Sequence, residues 1–171
     1  MNSILRGIWS GLIATSTMTT ALFKFHQSLP ETQQSPLPPA KLTTSVLRQI
    51  PSGKQVSDHL SSEAQMQATM GSHFAFGAGT GMLYALLAPK MKGTPLVKGT
   101  LFGLGVWSAS YLGWIPAFGL KPQAQKMTFE RNAMMVLAHV IWGATLGYNE
   151  NQMRQRARSL LDGRRNALLA E

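Results

Sequence analysis

Two apolar segments of this chain carry the same phrase. His73-Phe74-Ala75-Phe76-Gly77-Ala78-Gly79-Thr80-Gly81 and His139-Val140-Ile141-Trp142-Gly143-Ala144-Thr145-Leu146-Gly147 both read His, two residues, aromatic, Gly, Ala, two residues, Gly. The segments before them match as well. Arg6-Gly7 with Gly11-Leu12 opens one, and Lys98-Gly99 with Gly103-Leu104 opens the other. The chain therefore reads as two tandem copies of a helical hairpin, and an all-α four-helix bundle follows. Parallel repeats of this kind are related by a rotation of roughly 180° about the bundle axis.

Charge separates the four segments. No Asp, Glu, Lys or Arg occurs in 7–23, 64–89, 99–120 or 132–149. A helix needs roughly 20 predominantly apolar residues to cross a bilayer. On that count the expected fold is an integral membrane four-helix bundle, with spans at about 4–25, 67–88, 96–115 and 131–148 in a domain of 1–149. A basic tail, 150–171, follows. The competing reading is a small helical protein whose Gly-rich helices are buried in a core of its own. The mean hydropathy of -0.01 is low for a membrane protein.

The connections are legible from their breakers. Residues 26–62 form the long one, with Pro30, Pro36, Pro38 and Pro39 early in it. Leu42, Val46, Leu47 and Ile50 then recur at helical spacing, which predicts a short amphipathic surface helix. Ser62 followed by Gln65 predicts a capping box at the second helix. Pro89 and Pro95 bound a tight basic turn. Of the 16 basic residues, nine fall on the side of Arg6, Lys90, Lys92, Lys98 and the tail, and seven on the other. That bias predicts both termini on the cytoplasmic side.

Each segment holds a Gly-x-x-x-Gly: Gly7 and Gly11, Gly77 and Gly81, Gly99 and Gly103, Gly143 and Gly147. Four-residue spacing puts both glycines on one helix face, where another backbone can approach closely. In an up-down-up-down bundle all four pairs fall in the same half. The opposite half receives bulk instead and reads as an outward vestibule or as plain close packing. Thr15, Ser16, Thr17, Thr19 and Thr20 of the first helix are expected to bond back to carbonyls and to face other helices.

His73, His139, Tyr84, Asn132, Trp107 and Tyr111 form the candidate polar site. Three readings stay open for the histidines: neutral groups hydrogen-bonded across helices, a proton-linked role, and bis-imidazole haem ligation. No cofactor is required by the sequence, haem at His73 and His139 being the alternative, and no metal-ligand spacing occurs. There is no cysteine. With no nucleophile–base pair or phosphate loop either, no enzyme is expected. The net charge of +9 is dispersed at segment ends, which argues against a nucleic-acid face and for anionic lipid. Arg154, Arg156, Arg158, Arg164 and Arg165 are the headgroup candidates, on a tail whose Met153, Ala157, Leu160, Leu161 and Leu168 share a stripe.

Pro36-Leu37-Pro38-Pro39, His73 with Phe76-Gly77, Tyr111-Leu112-Gly113-Trp114-Ile115-Pro116 with Gly119-Leu120, and Arg131-Asn132 with His139 and Trp142-Gly143 together resemble the YagU-like family. These are small bacterial inner-membrane proteins with no established activity, and the resemblance covers about residues 5–148. It implies a multi-pass protein of the bacterial cytoplasmic membrane and no catalytic residue. Two functions follow. One is a non-catalytic membrane protein that packs with lipid, with its own copies or with a partner complex. The other is a small-solute or proton-linked transporter using the vestibule and its histidines.

Overall fold

The computed structural model describes residues 2–28, 43, 48, 59, 61–117 and 128–168. Four helices carry the described chain: α1 (Ser3–Gln27), α2 (Ser62–Leu87), α3 (Pro95–Ser108) and α4 (Phe129–Leu168). A single 3-10 turn, Ala88–Lys90, follows α2. The chain of α3 continues as a wide π-helical turn, Ala109–Trp114, and one last helical turn, Ile115–Ala117. The helix predicted at 42–50 lies almost entirely outside the described residues.

Local chemistry sets the helix starts. Asn2 caps α1 through its side-chain oxygen, 2.9 Å from the N–H of Leu5. Thr94 does the same for Val97 at 3.4 Å, and Pro95 stands at the first helical position, where no N–H is needed. The second helix is capped one residue earlier than the predicted box: Ser61 accepts from the N–H of Ala64 at 3.2 Å. Gly93, at φ 111°, lets the chain reverse within the short turn between α2 and α3.

The glycines decide how the helices meet. α1 packs on α2, and α3 packs on α4, each pair antiparallel. A methyl group built on Gly7 would lie 2.6 Å from the carbonyl oxygen of Gly81, and one on Gly81 would lie 2.7 Å from the Cα of Gly11. In the other hairpin a methyl on Gly99 would lie 2.8 Å from the Cα of Gly147, and one on Gly103 would lie 3.0 Å from the Cα of Gly143. All eight glycines thus sit at two seams, and at every one but Gly77, which faces the Thr15 side chain, backbone of one helix rests on the bare Cα of the other.

The two seams are not in the same register. In the first hairpin Gly7 faces the carbonyl of Gly81 and Gly11 that of Gly77; in the second Gly99 faces Gly143 and Gly103 faces His139. The second hairpin is slid by one helical turn, about 6 Å at 1.5 Å per residue. The hairpins join through α1 and α4, whose backbones pack extensively, while the backbones of α2 and α3 stay further apart and meet through Tyr84 on Phe102. Ala14, Met18, Leu22, Tyr84, Met135, Ala138, Trp142 and Leu146 form the centre of the core.

The integral membrane bundle is corrected by this structure. Among the described residues, no helix is long and apolar enough to cross a membrane. The physical reason is that an uncharged stretch is not the same as an apolar one. α3 has only 14 residues before its geometry changes. α1 and α2 have the length, yet Thr and Ser crowd the second half of α1, and Gln, Ser, His and Gly dilute α2. The hydroxyls of Ser16, Thr17 and Thr20 do bond to the carbonyls four residues back, but these side chains are exposed and only Thr15 is buried between helices. Residues 150–168, expected as a separate tail, continue α4 as one helix of 40 residues.

The seams generate an expected pair of opposite effects. Gly81→Ala or Gly143→Ala forces backbones apart and is expected to cost about 1–3 kcal/mol, as overpacking does elsewhere. Gly105→Ala meets nothing within 4 Å and is expected to stabilise by about 0.5–1 kcal/mol through helix propensity. Chemical or thermal unfolding measures both, and equal effects at the two kinds of position would remove the seams from the account of stability.

Candidate functional site

Where the glycine seams end, large side chains take over the interior. The α3 stripe that holds Gly99 and Gly103 continues one turn later into Trp107 and then into Tyr111 on the π turn. The rings of Trp107 and Tyr111 stack at 6.2 Å, and Tyr111 meets the ring of His139 edge-on at the same centroid distance. His73 approaches from α2, close enough for its charge to disfavour a proton on His139. Three of the six residues chosen from sequence, Trp107, Tyr111 and His139, therefore stand in ring contact, with His73 in the neighbourhood rather than among them.

The π turn makes this possible. The N–H of Ile115 bonds to the carbonyl of Ser110, five residues back, and Pro116 has no N–H to continue an ordinary ladder. The widened turn carries Ser110 and Tyr111, both buried. α1 has no such feature, so this end of the molecule departs from the repeat.

Each polar atom here has a distinct fate. The Nδ1 of His139 lies 2.8 Å from the carbonyl oxygen of Met135. A carbonyl only accepts, so Nδ1 carries the hydrogen and Nε2 keeps its lone pair. The hydroxyl of Tyr111 donates to the thioether of the same Met135 at 3.5 Å, a weak acceptor. Trp142 Nε1 donates to Thr15 Oγ1 at 3.1 Å, tying α4 to α1. By contrast, His73 Nε2 and Trp107 Nε1 are buried with no hydrogen-bond partner among the described residues.

Burial dominates the electrostatics. It pulls the pKa of His139 down to about 4, against a smaller upward pull from the Met135 carbonyl, with His73 adding to the depression. Burial lowers His73 as well. Tyr111 is pushed up by burial, slightly opposed by the positive charge of Arg131. Both imidazoles are therefore neutral near pH 7.

The other two chosen residues go elsewhere. Tyr84 belongs to the opposite end, packed against Phe102 at 5.2 Å, its pKa pushed up to about 12 by burial and then by the charge of Glu150. Asn132 sits two turns before His139 on α4 and is half-buried. Sequence reasoning missed Arg131, 8 % exposed, and Glu150, 2 % exposed. Glu150 meets Arg6 at 3.4 Å and Arg154 at 3.8 Å. Arg154 is thus engaged with a carboxylate rather than held out for a headgroup, whereas Arg156 and Arg158 are exposed. The side chains of Arg164 and Arg165 lie outside the described residues. A signal for Glu150 was present: it is an acid at the end of an apolar helix, where it was read only as part of a tail. Among the described residues no group of three or more His, Cys, Asp or Glu stands together as metal ligands would.

The histidines fix an expected pH dependence. Their pKa is depressed in the fold, so below the unfolded value near 6.5 the unfolded chain binds protons that the native one excludes. Stability is then complete above about pH 6.5 and falls as pH drops from there toward 4. The loss for His139 is on the order of 3 kcal/mol at about 1.4 kcal/mol per unit. His139→Gln is expected to flatten that slope in unfolding measured at stepwise pH, and an unchanged slope would place the titration elsewhere.

Comparison with known proteins adds one relation. No curated protein and no solved structure matches the chain. The family model described as a protein of unknown function, DUF1440, matches residues 7–148, from the first seam glycine to the residue after the last. That stretch holds both hairpins and the aromatic–histidine cluster, and the chain belongs to the DUF1440 family.

Proposed function

We propose that this protein, a YagU-like member of its family, acts without catalytic chemistry by packing helix faces against an anionic lipid surface on the cytoplasmic side of a bacterial inner membrane. The outward faces of its helices support this reading. Leu5, Trp9 and Ile13 recur at four-residue spacing on α1, and all three are exposed, Trp9 by 54 %. Leu83 and Leu87 do the same on α2, and Leu101, 58 % exposed, on α3. A surface helix normally turns polar residues outward, and extended exposed apolar faces mark interaction surfaces.

Charge favours lipid over a second copy or a neutral protein partner. Lys90 and Lys92 are exposed in the turn between α2 and α3. The carbonyl of Pro95 rests on Gly147, which sets this turn beside the part of α4 that leads into exposed Arg156 and Arg158. One end of the bundle is therefore basic next to apolar faces. The observation that carries the reading is this pairing of exposed apolar side chains with a basic end. It corresponds to the two contributions, apolar burial and headgroup attraction, that bind helices at interfaces.

Sedimentation with vesicles tests it. Binding is expected to vesicles containing phosphatidylglycerol, weakening with salt, and to be much weaker with phosphatidylcholine alone. Each basic residue near such a surface contributes about 1 kcal/mol, so Lys92→Gln with Arg156→Gln and Arg158→Gln is expected to weaken binding on the order of 100-fold. Equal binding to both vesicle types, or to neither, would overturn the reading.

A further inference from the structure

The longest helix outruns the bundle that supports it. Trp142 bonds to Thr15 and Glu150 to Arg6, so α1 runs antiparallel to α4 and reaches its first residue, Ser3, within a turn of Glu150. α4 nevertheless continues to Leu168. Met153, whose sulfur lies 3.7 Å from the hydroxyl of Ser10, is the last α4 residue with a hydrogen-bonded contact to another helix among the described residues. From Gln155 to Gly163 the described residues are exposed, apart from half-buried Ala157.

Such a segment has little to hold it helical in water. Most helical stability comes from packing, and an isolated helix shorter than about 12–15 residues is marginal. Arg154 is fastened to Glu150 at 3.8 Å and to Asn151 at 3.0 Å, which secures the turn before Gln155. Beyond it the Ser159 hydroxyl turns back to the carbonyl of Arg156 at 3.0 Å, a local bond that competes with the helix ladder. Gly163 lowers helix propensity further, and a methyl built there meets nothing within 4 Å, so no close packing requires it.

The side-chain pattern on these turns identifies what completes them. At 3.6 residues per turn, Met153, Ala157 and Leu160 fall on one stripe, with Arg156 on one flank and Arg158 on the other. Leu160 is 74 % exposed. Over residues 151–171 five arginines stand against two acids, Asp162 and Glu171. A second copy of the chain laid on this stripe would set arginine against arginine. Lipid phosphates match the arginines instead, and the headgroup–acyl boundary takes the apolar stripe. The stripe also starts at the basic end already assigned to lipid, where Pro95 rests on Gly147 next to the turn of Lys90 and Lys92.

We propose that the turns of α4 after Arg154 complete their folding on anionic lipid, and that this ordering controls how tightly the protein holds the surface. The coupling rests on the lipid reading and adds to it a mode of binding, a helix ordered by the bilayer rather than a cluster of charges alone.

The test uses the full chain with phosphatidylglycerol vesicles. In hydrogen exchange followed by mass spectrometry, the amides of 155–163 are expected to exchange about ten-fold more slowly with vesicles than without, while those of 136–147 stay unchanged. Ser159→Pro keeps every charge and apolar side chain but breaks the helix, and it is expected to weaken vesicle binding about ten-fold or more at the parent's Tm. Gly163→Ala is expected to tighten binding about three- to five-fold by lowering the cost of ordering. If Ser159→Pro lowers Tm, the exchange measurement and Gly163→Ala decide alone. Binding by the parent without slower exchange at 155–163, or without response to these variants, would overturn the coupling and leave the lipid reading standing. Absence of binding by the parent itself would overturn both.

Discussion

A carbonyl oxygen resting on a bare glycine Cα is the contact on which the rest of this fold depends. It holds α1 to α2 and α3 to α4 so closely that even a methyl group at Gly7, Gly81, Gly99 or Gly147 would collide with the facing backbone. Such proximity replaces side-chain interdigitation with backbone dispersion and weak Cα–H···O contacts. At the seams themselves it leaves no room for side chains between the paired helices.

The one-turn slide between the hairpins explains why two copies of one phrase produce different environments. Gly103 faces the carbonyl of His139, so the backbone at that histidine is drawn against α3 and its ring is 9 % exposed. In the first hairpin the seam ends at Gly11 and Gly77, and Thr15 rather than a glycine follows, so His73 remains half-buried. The Thr15 hydroxyl then accepts from Trp142, which makes α1 the helix that joins the copies. A duplicated sequence has been packed into a bundle with one close side, α1 on α4, and a wider side between α2 and α3 that Tyr84 and Phe102 span.

Charge completes the division of the molecule. Glu150 is almost fully buried yet flanked by Arg6 and Arg154, and removing one partner of such a buried pair typically costs about 3–5 kcal/mol. The pair fastens the start of α1 to α4 at the glycine end, and the same contact is why Arg154 does not join exposed Arg156 and Arg158. At the far end the buried titratable groups among the described residues are the neutral imidazole of His139, the phenol of Tyr111 and Arg131. The bundle is thus tight and ion-paired at one end and aromatic at the other.

Much of the local structure was legible because it rests on short-range rules. The repeated glycines at four-residue spacing, the tight turn between Pro89 and Pro95, and the antiparallel hairpins all follow from spacing and backbone chemistry. Counting turns placed both histidines and Trp107 in the half away from the glycines, but it also grouped with them Tyr84, which packs at the other end. The membrane reading failed because the absence of charge was taken for apolarity, and Gly, Thr, Ser and Gln do not supply the hydropathy a span needs. What only the tertiary structure decided is relational: the slide of one hairpin, the π turn after Trp107, the separation of α2 from α3, and the partner that Glu150 finds 144 residues away. No local pattern encodes these, because each is fixed by how two surfaces distant in sequence fit when brought together.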